Sequence, residues 1–380
     1  MPGLLYATRS WLGPSLPLQL AILFLTAGLF WYLGANIVDS MQRLGVSPGF
    51  GFLSQRANFE IGESLIAYSS ADTYGRALLA GLFNTINIAF FGCLLATVLG
   101  VVLGVARLSG NLILSNAVRA YVEVFRNTPL LLQLFLWSTI YHALPAPRRA
   151  IEFFGAFLTN RGVFVAKPVL AGPSLLLSVP LTIAVIGLSF VVARRAFIGR
   201  PFYATRLFAA CSISALISLW LAGVTVTFEL PVRGGFNISG GLSLTPEFAA
   251  LLTGLVFNAA ATIAEIVRSG IQSVSSGQWE AARALGLRPG HIMRLVVLPQ
   301  ALRVITPLMT SSYLDLTKNS SLAVAIGFPD LVSITNTTAN TTGQSLEAIA
   351  IIAAAYLALN LTVSLIMNFY NRRIMVKDRR

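Results

Sequence analysis

The sequence predicts an all-α integral membrane protein with about eight transmembrane helices. Of its 380 residues, 56% are hydrophobic and 11% are charged, whereas roughly a quarter of the residues in soluble domains are charged. Uncharged stretches of about 20 residues recur along the chain, and this is the length that a helix needs to cross the hydrocarbon core. The composition therefore excludes a water-soluble globular fold and favours helices that use lipid as their solvent.

Eight stretches have this length and composition, taken here in chain order. They cover residues 17–38, 79–106, 119–143, 174–193, 207–226, 247–267, 304–326 and 347–369. The first has Arg9 upstream and no small-residue cleavage pattern at its end, where Ala35 and Asn36 lead towards Asp39. We therefore expect a retained membrane anchor rather than a cleaved signal peptide.

Basic residues predict the orientation, because Lys and Arg accumulate in cytoplasmic loops. With both termini in the cytoplasm, 17 basic residues fall in inner segments and 8 in outer segments. The loop 194–206 supports this assignment with four arginines, whereas the loop 144–173 opposes it with four basic residues and one acid. We expect both termini to be cytoplasmic. The net charge of +13 then reflects this asymmetry rather than nucleic-acid binding.

Few residues are candidates for a metal or catalytic site. His142 and His291 are too few and too far apart in the chain for a metal site. Cys93 and Cys211 fall inside predicted spans, where a thiol packs as a small apolar group. The sequence contains no G-x-x-x-x-G-K-[ST] phosphate loop. Its one G-x-S-x-G match, Gly45–Gly49, follows a predicted membrane span rather than a strand, so it is not a nucleophile elbow. We therefore predict no catalytic residue, no metal site and no cofactor bound by this chain.

The segment 272–304, between the sixth and seventh spans, has the pattern of an ordered cytoplasmic loop. Ser275 and Gln278 predict a capping box at the start of a short helix, and Glu280 lies in its positive first turn. Gly286 predicts the end of this helix, and a second short helix is expected at about 291–297, before Pro299. Two interpretations stay open: a stiff knob that docks into a partner protein, or an amphipathic helix that rests on lipid headgroups.

The same loop resembles a known motif. The sequence QWEAARALGL at 278–287, followed by LPQALRVITP at 298–307, is similar to the EAA loop of permeases from binding-protein-dependent ABC importers. The stretches 119–135, 264–278 and 312–331 add to the resemblance in the same order and spacing. Together they resemble the polar amino-acid permease branch, over roughly 79–143 and 247–372 of this chain.

The resemblance implies an ABC importer type I permease core of five helices, which this chain enlarges. Residues 1–76 add an N-terminal helix and an outer loop. Residues 147–245 add a two-helix insertion between the core parts 77–146 and 246–380, with the EAA coupling loop at 272–299. Such enlargement resembles the general L-amino-acid permease subgroup.

The resemblance also implies a mechanism, in which the EAA helix docks in a cytoplasmic ATPase and transmits its closure to the membrane helices. The residues that match the motif are Glu280, Ala281, Ala282 and Gly286, with Arg283 and Leu285 as flanking contacts. ATP is then expected on a partner subunit. The implied partners are an ABC ATPase dimer, a related but different second permease, a periplasmic amino-acid-binding protein and membrane lipid. The implied location is the bacterial inner membrane.

Ionisable residues at membrane depth are functional candidates, because burying their charge is costly. Three pairs occur at i, i+3 spacing, and in each the two partners offset part of each other's cost: Glu123 with Arg126, Glu265 with Arg268, and Asp315 with Lys318. The third pair is followed by Asn319 and forms the most polar stretch at depth.

The candidate substrate path comprises Asp315, Lys318, Asn319 and Glu265. A zwitterionic amino acid offers a partner to both charges of the third pair, although the pair also satisfies itself if it stays closed. The alternative function is a secondary transporter or channel for small polar solutes. Such a protein shares the helices and the buried pairs but does not need the ordered cytoplasmic loop.

Overall fold

The computed structural model describes residues 16–43, 49–171, 182–189, 191–192, 207, 209–213, 215 and 225–376. The chain divides into two compact units. The first consists of Met1–Leu131 and Leu255–Arg380, and the second of Leu132–Gly254.

The described residues from 16 to 142 contain four helices. They are α1 (Leu16–Arg43), α2 (Tyr74–Arg107), α3 (Leu112–Asn127) and α4 (Leu130–His142), and a short 3₁₀ turn lies at Phe50–Ser54. Side-chain oxygens cap two of the helix starts, since Thr73 accepts from the Arg76 amide and Asn111 from the amides of Ile113 and Leu114.

The predicted single span 119–143 is wrong in one respect, because it consists of α3 and α4 with a break between them. Thr128 has an extended backbone at φ −98° and ψ 129°. Pro129 explains the break, since a proline has no N–H to donate and disfavours the helical conformation of the residue before it.

The described residues from 246 to 376 contain six helices. They are α5 (Pro246–Gln272), α6 (Ser276–Ala284), α7 (Pro289–Ile292), α8 (Leu298–Asn319), α9 (Leu331–Thr342) and α10 (Ser345–Val376). A π-helical segment, Met293–Val297, joins α7 to α8, and a 3₁₀ segment, Ser320–Ile326, follows α8. Asp330 caps α9 by accepting from the Ser333 amide, and Gly343 ends it with a positive φ of 74°.

Five helical stretches among the described residues are long and apolar enough to cross a membrane. They are Pro17–Ser40, Tyr74–Arg107, Pro246–Gln272, Pro289–Ile326 and Ser345–Asn371. These confirm a helical membrane protein, but the total of eight spans is not established. The predicted spans 174–193 and 207–226 lie largely outside the described residues, although 182–189 are helical.

The insertion 147–245 differs from the expected pair of helices, because its described part also contains eight short strands. They are β1 (Ile151–Phe153), β2 (Ala156–Thr159), β3 (Gly162–Val165), β4 (Lys167–Ala171), β5 (Thr225–Glu229), β6 (Val232–Arg233), β7 (Ile238–Ser239) and β8 (Leu242–Leu244). Three antiparallel sheets result, with strand orders β1-β2-β3-β8, β4-β5 and β6-β7. Glycines at positive φ, such as Gly155 at 76° and Gly162 at 133°, permit the tight turns between strands.

Close packing within the first unit depends on glycines of α2. A Cβ added at Gly104 would lie 2.8 Å from the Ala264 carbonyl oxygen, and one at Gly100 would lie 2.6 Å from the Ile263 side chain. Helices α2 and α5 therefore approach closely at Gly100 and Gly104, as small residues permit in membrane bundles. Pro307 lies inside α8, where its ring leaves the carbonyl of Arg303 without its usual helical donor.

Candidate functional site

The first part of the candidate site is α6, which starts where the sequence predicts. Ser275 is its N-cap residue, and the Gln278 amide donates to the Ser275 carbonyl oxygen at 3.0 Å. The predicted capping box is wrong in its chemistry, because the Ser275 side chain makes no capping hydrogen bond. Instead, the Gln278 side-chain oxygen accepts a hydrogen bond from the Gln300 side-chain nitrogen at 3.3 Å, which connects α6 to α8.

Gly286 ends α6 as predicted. It has a φ of 71° and donates to the Arg283 carbonyl at 2.9 Å, while the Leu287 amide donates to the Ala282 carbonyl at 3.2 Å. These two bonds form a Schellman motif, which satisfies the last carbonyls of a helix and favours glycine at the left-handed position.

The residues predicted to couple to an ATPase separate into an outward and an inward group. Glu280, Ala281, Arg283 and Leu285 are exposed, and Leu285 exposes 81% of its surface. Ala282 exposes only 3% and lies in a core cluster with Ile292, Val297, Ala301 and Ile305. Ala282 therefore attaches α6 to the chain's own helices, while the other four residues form a surface that a partner can reach. We call this surface, together with Gly286, the α6 knob.

The second predicted short helix differs from the expectation. It starts at Pro289 rather than at His291 and continues through Met293–Val297 into α8 without a break. Pro299 does not interrupt the helix, but it has no N–H to donate to the Leu295 carbonyl, and the turn before it, Met293–Val297, is π-helical rather than α-helical. A continuous helical path therefore runs from Pro289, three residues after Gly286, to Asn319.

The second part of the candidate site is a cavity of about 150 Å³ in the first unit. This is the volume of roughly five liquid water molecules, enough for a small polar solute. Asp315 and Asn319 line it, as predicted for a substrate path, but Lys318 is not among the lining residues. The full lining comprises Leu130, Leu255, Asn258, Ala259, Thr262, Ser312, Asp315, Leu316 and Asn319.

Sequence reasoning missed three polar residues of this lining: Asn258, Thr262 and Ser312. Helical periodicity contains the signal, because 258 and 262 are one turn apart on α5, and 312, 315 and 319 follow i, i+3, i+7 spacing on α8. The Asn258 side chain is held in place by donating to the Phe125 carbonyl at 3.0 Å.

The predicted alternative of a closed Asp315–Lys318 pair is not seen. In the described part of the chain, no ion pair joins the two side chains, and both are exposed. Asp315 is thus the acidic residue of the cavity lining.

Glu265 lies elsewhere, in an ion-pair cluster at the end of α2 and α5. Its carboxylate accepts from both Arg107 and Arg268, and the Arg268 Nε lies 3.1 Å from Glu265 Oε2. The predicted Glu265–Arg268 pair therefore forms, with Arg107 as an additional partner. Glu265 is not among the residues that line the cavity.

The predicted Glu123–Arg126 pair is wrong. Glu123 pairs with Arg119 instead, at 2.8 Å between Arg119 Nε and Glu123 Oε1, and both side chains are exposed. The i, i+4 spacing brings these two long side chains together on the helix surface.

Comparisons with known proteins identify the family of this chain. The family described as "Binding-protein-dependent transport system inner membrane component" matches residues 96–376. The chain is 42% identical to the general L-amino acid transport system permease protein AapQ of Rhizobium johnstonii, over 95% of this chain and 92% of AapQ. It is 38% identical to the glutamate/glutamine/aspartate/asparagine transport system permease protein BztB of Rhodobacter capsulatus, over 99% of this chain and 96% of BztB.

The family match covers the cavity-lining residues, the ion-pair cluster and the α6 knob, and the two relatives extend over nearly the whole chain, including the insertion. On this basis, the chain belongs to the family of inner membrane components of binding-protein-dependent transport systems.

Proposed function

We propose that this chain is the permease subunit of an ATP-driven importer that carries L-amino acids across the bacterial inner membrane. The observation that carries the proposal is the α6 knob, which presents Glu280, Ala281, Arg283 and Leu285 to solvent on a helix fixed to the core by Ala282. A helix that only rested on lipid headgroups would need a continuous apolar face. The outward face of α6 instead combines an acid, a base and alanine with one leucine.

The α6 knob suits docking into a cytoplasmic ATPase. Small alanine side chains permit close approach, Glu280 accepts hydrogen bonds from donors of the partner, and Leu285 fills an apolar pocket. Because the helical path from Pro289 to Asn319 is continuous, a displacement of the knob moves the cavity wall. From Met293 to Asp315 this path extends about 33 Å at 1.5 Å per residue.

ATP then binds to the partner, since this sequence lacks the phosphate loop that cradles nucleotides. The proposed complex contains two ATPase subunits, a second permease that is related but different, and a periplasmic binding protein. Both termini lie in the cytoplasm, as the distribution of basic residues predicts.

The cavity supports an amino acid as the transported solute. Asp315 supplies a carboxylate for the amino group, and Asn258, Ser312 and Asn319 supply hydrogen-bonding groups for the carboxylate or the side chain. The names of the two relatives favour L-amino acids, including the acidic amino acids and their amides.

The test is a charge reversal on the α6 knob. Glu280→Lys is expected to abolish ATP-driven amino-acid uptake in proteoliposomes that contain the complete transporter, while the chain still inserts in the membrane. The matched control is Glu60→Lys, another exposed acid outside the knob, which should leave uptake unchanged. Normal uptake by Glu280→Lys would refute the coupling role of the knob.

A further inference from the structure

The four-stranded sheet of the insertion has one covered face. Phe157 and Phe164 face each other across β2 and β3, and both are buried in a cluster with Ala150 and Ile238. The Arg233 guanidinium lies over the Phe157 ring at 5.3 Å and donates to the Ala150 carbonyl at 2.8 Å. This side of the sheet therefore has its own small core.

The opposite face of the sheet is entirely apolar, yet none of its side chains is fully buried by the described residues. Strand register places eight side chains on it, and all of them are exposed or partly exposed: Ile151, Phe153, Ala156, Leu158, Val163, Val165, Leu242 and Leu244. Ile151 exposes 47%, Phe153 60% and Leu242 43% of their surfaces. A sheet face that meets water normally carries polar residues, so this apolar face indicates another contact.

The turn between β1 and β2 extends the apolar face. Phe154 is 95% exposed and has a φ of 48°, followed by Gly155 at 76°. Two-residue turns with positive φ at both positions favour Asn-Gly, and a bulky residue is disfavoured at the first position. The Phe153 and Phe154 rings lie 4.7 Å apart, so the turn carries an aromatic tip where a polar residue would fit the backbone better.

The strands are connected to the membrane at both ends. Strand β8 ends at Leu244, two residues before α5, which is a candidate membrane span. At the other end, β4 and β5 pair up to Ala171 and Thr225, next to the predicted spans 174–193 and 207–226. Residues 162–171 of β3 and β4 extend over roughly 33 Å. Since both ends are tied to one membrane surface, the strands run along that surface rather than away from it.

The charge of the same segments complements an anionic surface. In residues 144–171 and 225–245, five basic side chains accompany two acids. Arg149, Arg161 and Lys167 are exposed, and basic residues near a bilayer are attracted to anionic headgroups. This excess of basic residues is also what makes the segment 144–173 an exception to the predicted orientation.

From these observations we propose that the apolar face, with the Phe153–Phe154 tip, lies in the headgroup region of a bilayer containing anionic lipid. The contact anchors the insertion flat on the membrane surface. It is separate from transport chemistry and does not depend on the identity of the transported solute.

The test compares two neighbouring residues on opposite faces of β8. Leu242→Cys and Ser243→Cys are each introduced into the full chain with Cys93→Ala and Cys211→Ala, spin-labelled, and reconstituted with the complete transporter in phosphatidylglycerol-containing vesicles. The label at 242 should collide more with oxygen, which concentrates in lipid, than with a water-soluble nickel chelate. Ser243 pairs with Phe164 on the other face of the sheet but is itself exposed, so the label at 243 should show the reverse order.

Two further variants test the tip and the charge. Phe154→Asn suits the turn better and so preserves folding, but it should increase the nickel accessibility of the label at 242. Arg149→Gln and Arg161→Gln should each shift the equilibrium between the membrane-bound and the detached state of the sheet about fivefold towards the detached state. Arg288→Gln lies outside the insertion and should have no effect.

Either of two results at position 242 would overturn the proposal. Nickel accessibility equal to that at 243 would place the face in water, and shielding from both reagents would assign it to a protein partner. Lipid contact that is unchanged in uncharged vesicles and in both glutamine variants would overturn the role of anionic lipid.

Discussion

Leu285→Ala on the α6 knob gives the most quantitative test of the coupling surface. The substitution removes three carbon atoms, which contribute about 0.8 kcal/mol each when fully buried, or about 2.4 kcal/mol in total. Since Leu285 exposes 81% of its surface in this chain, a partner that covers it gains about 2 kcal/mol from these atoms. The Kd for the ATPase should therefore rise about 30-fold.

The assay measures the binding of the ATPase to the purified permease in detergent, and in parallel the thermal unfolding of the permease alone. Leu287→Ala is the matched control, because Leu287 is two residues away but packs partly buried against the core cluster. We expect Leu285→Ala to weaken ATPase binding without lowering the unfolding temperature, and Leu287→Ala to lower that temperature. An unchanged Kd for Leu285→Ala would show that the partner does not cover this side chain, and the reasoning would fail.

Three further predictions concern charged residues. Asp315→Asn should raise the KM of uptake about tenfold or more, because a hydrogen bond to a charged group contributes about 1.5–3 kcal/mol. Lys318→Gln changes a residue outside the cavity lining and should leave the KM unchanged. Equal effects of the two variants on the KM would contradict the substrate path. Burial raises the pKa of Asp330, between two candidate spans, to about 6, so the protein should gain stability as the pH falls from 7 towards 4, by about 3 kcal/mol in total. Asp330→Asn should make the unfolding temperature depend less on pH. If the unfolding temperatures of the variant and of the unmodified protein changed with pH in parallel, that result would contradict the role of Asp330. Glu265→Gln should destabilise the chain by about 3 kcal/mol because it leaves the partly buried Arg107 without its carboxylate partner. Adding Arg107→Gln should restore part of the lost unfolding temperature. If the double variant were no more stable than Glu265→Gln, that result would argue against the pairing of the two side chains.

Local sequence signals predicted five of the membrane helices and the two ends of α6. Hydropathy identifies spans because lipid excludes unpaired backbone and charge over about 20 residues. The end of α6 was predictable because Gly286 adopts the left-handed conformation that a helix end requires. The burial of Ala282 was not predictable from local sequence, since it depends on packing against Ile292 and Val297.

The features that the sequence did not reveal depend on residues far apart in the chain. Strand β3 pairs with β8, so that Val163 faces Leu244 across a gap that contains two predicted spans. Short strands of two to five residues also carry too few alternations for a clear pattern. In the same way, Arg107 reaches Glu265 only after α2 and α5 have packed through Gly100 and Gly104.

The cavity illustrates a partial success. Asp315 and Asn319 were identified as polar residues at membrane depth, which is a local signal. Their grouping with Leu130 and Asn258 required the packing of three helices, which no single stretch of sequence specifies. Lys318 was included because it follows Asp315 by three residues, yet it is not part of the lining.

Pro307 gives α8 an elastic joint between its two ends. The helix lacks one hydrogen bond there, and the hydroxyls of Thr306 and Thr310 bond back to carbonyls one turn earlier, at 2.7 and 3.1 Å. Both features lower the cost of bending a helix. In the proposed coupling, a displacement of α6 would therefore reach Ser312 and Asp315 as a change of helix angle as well as of position, and a small movement near Pro289 would tilt the cavity wall.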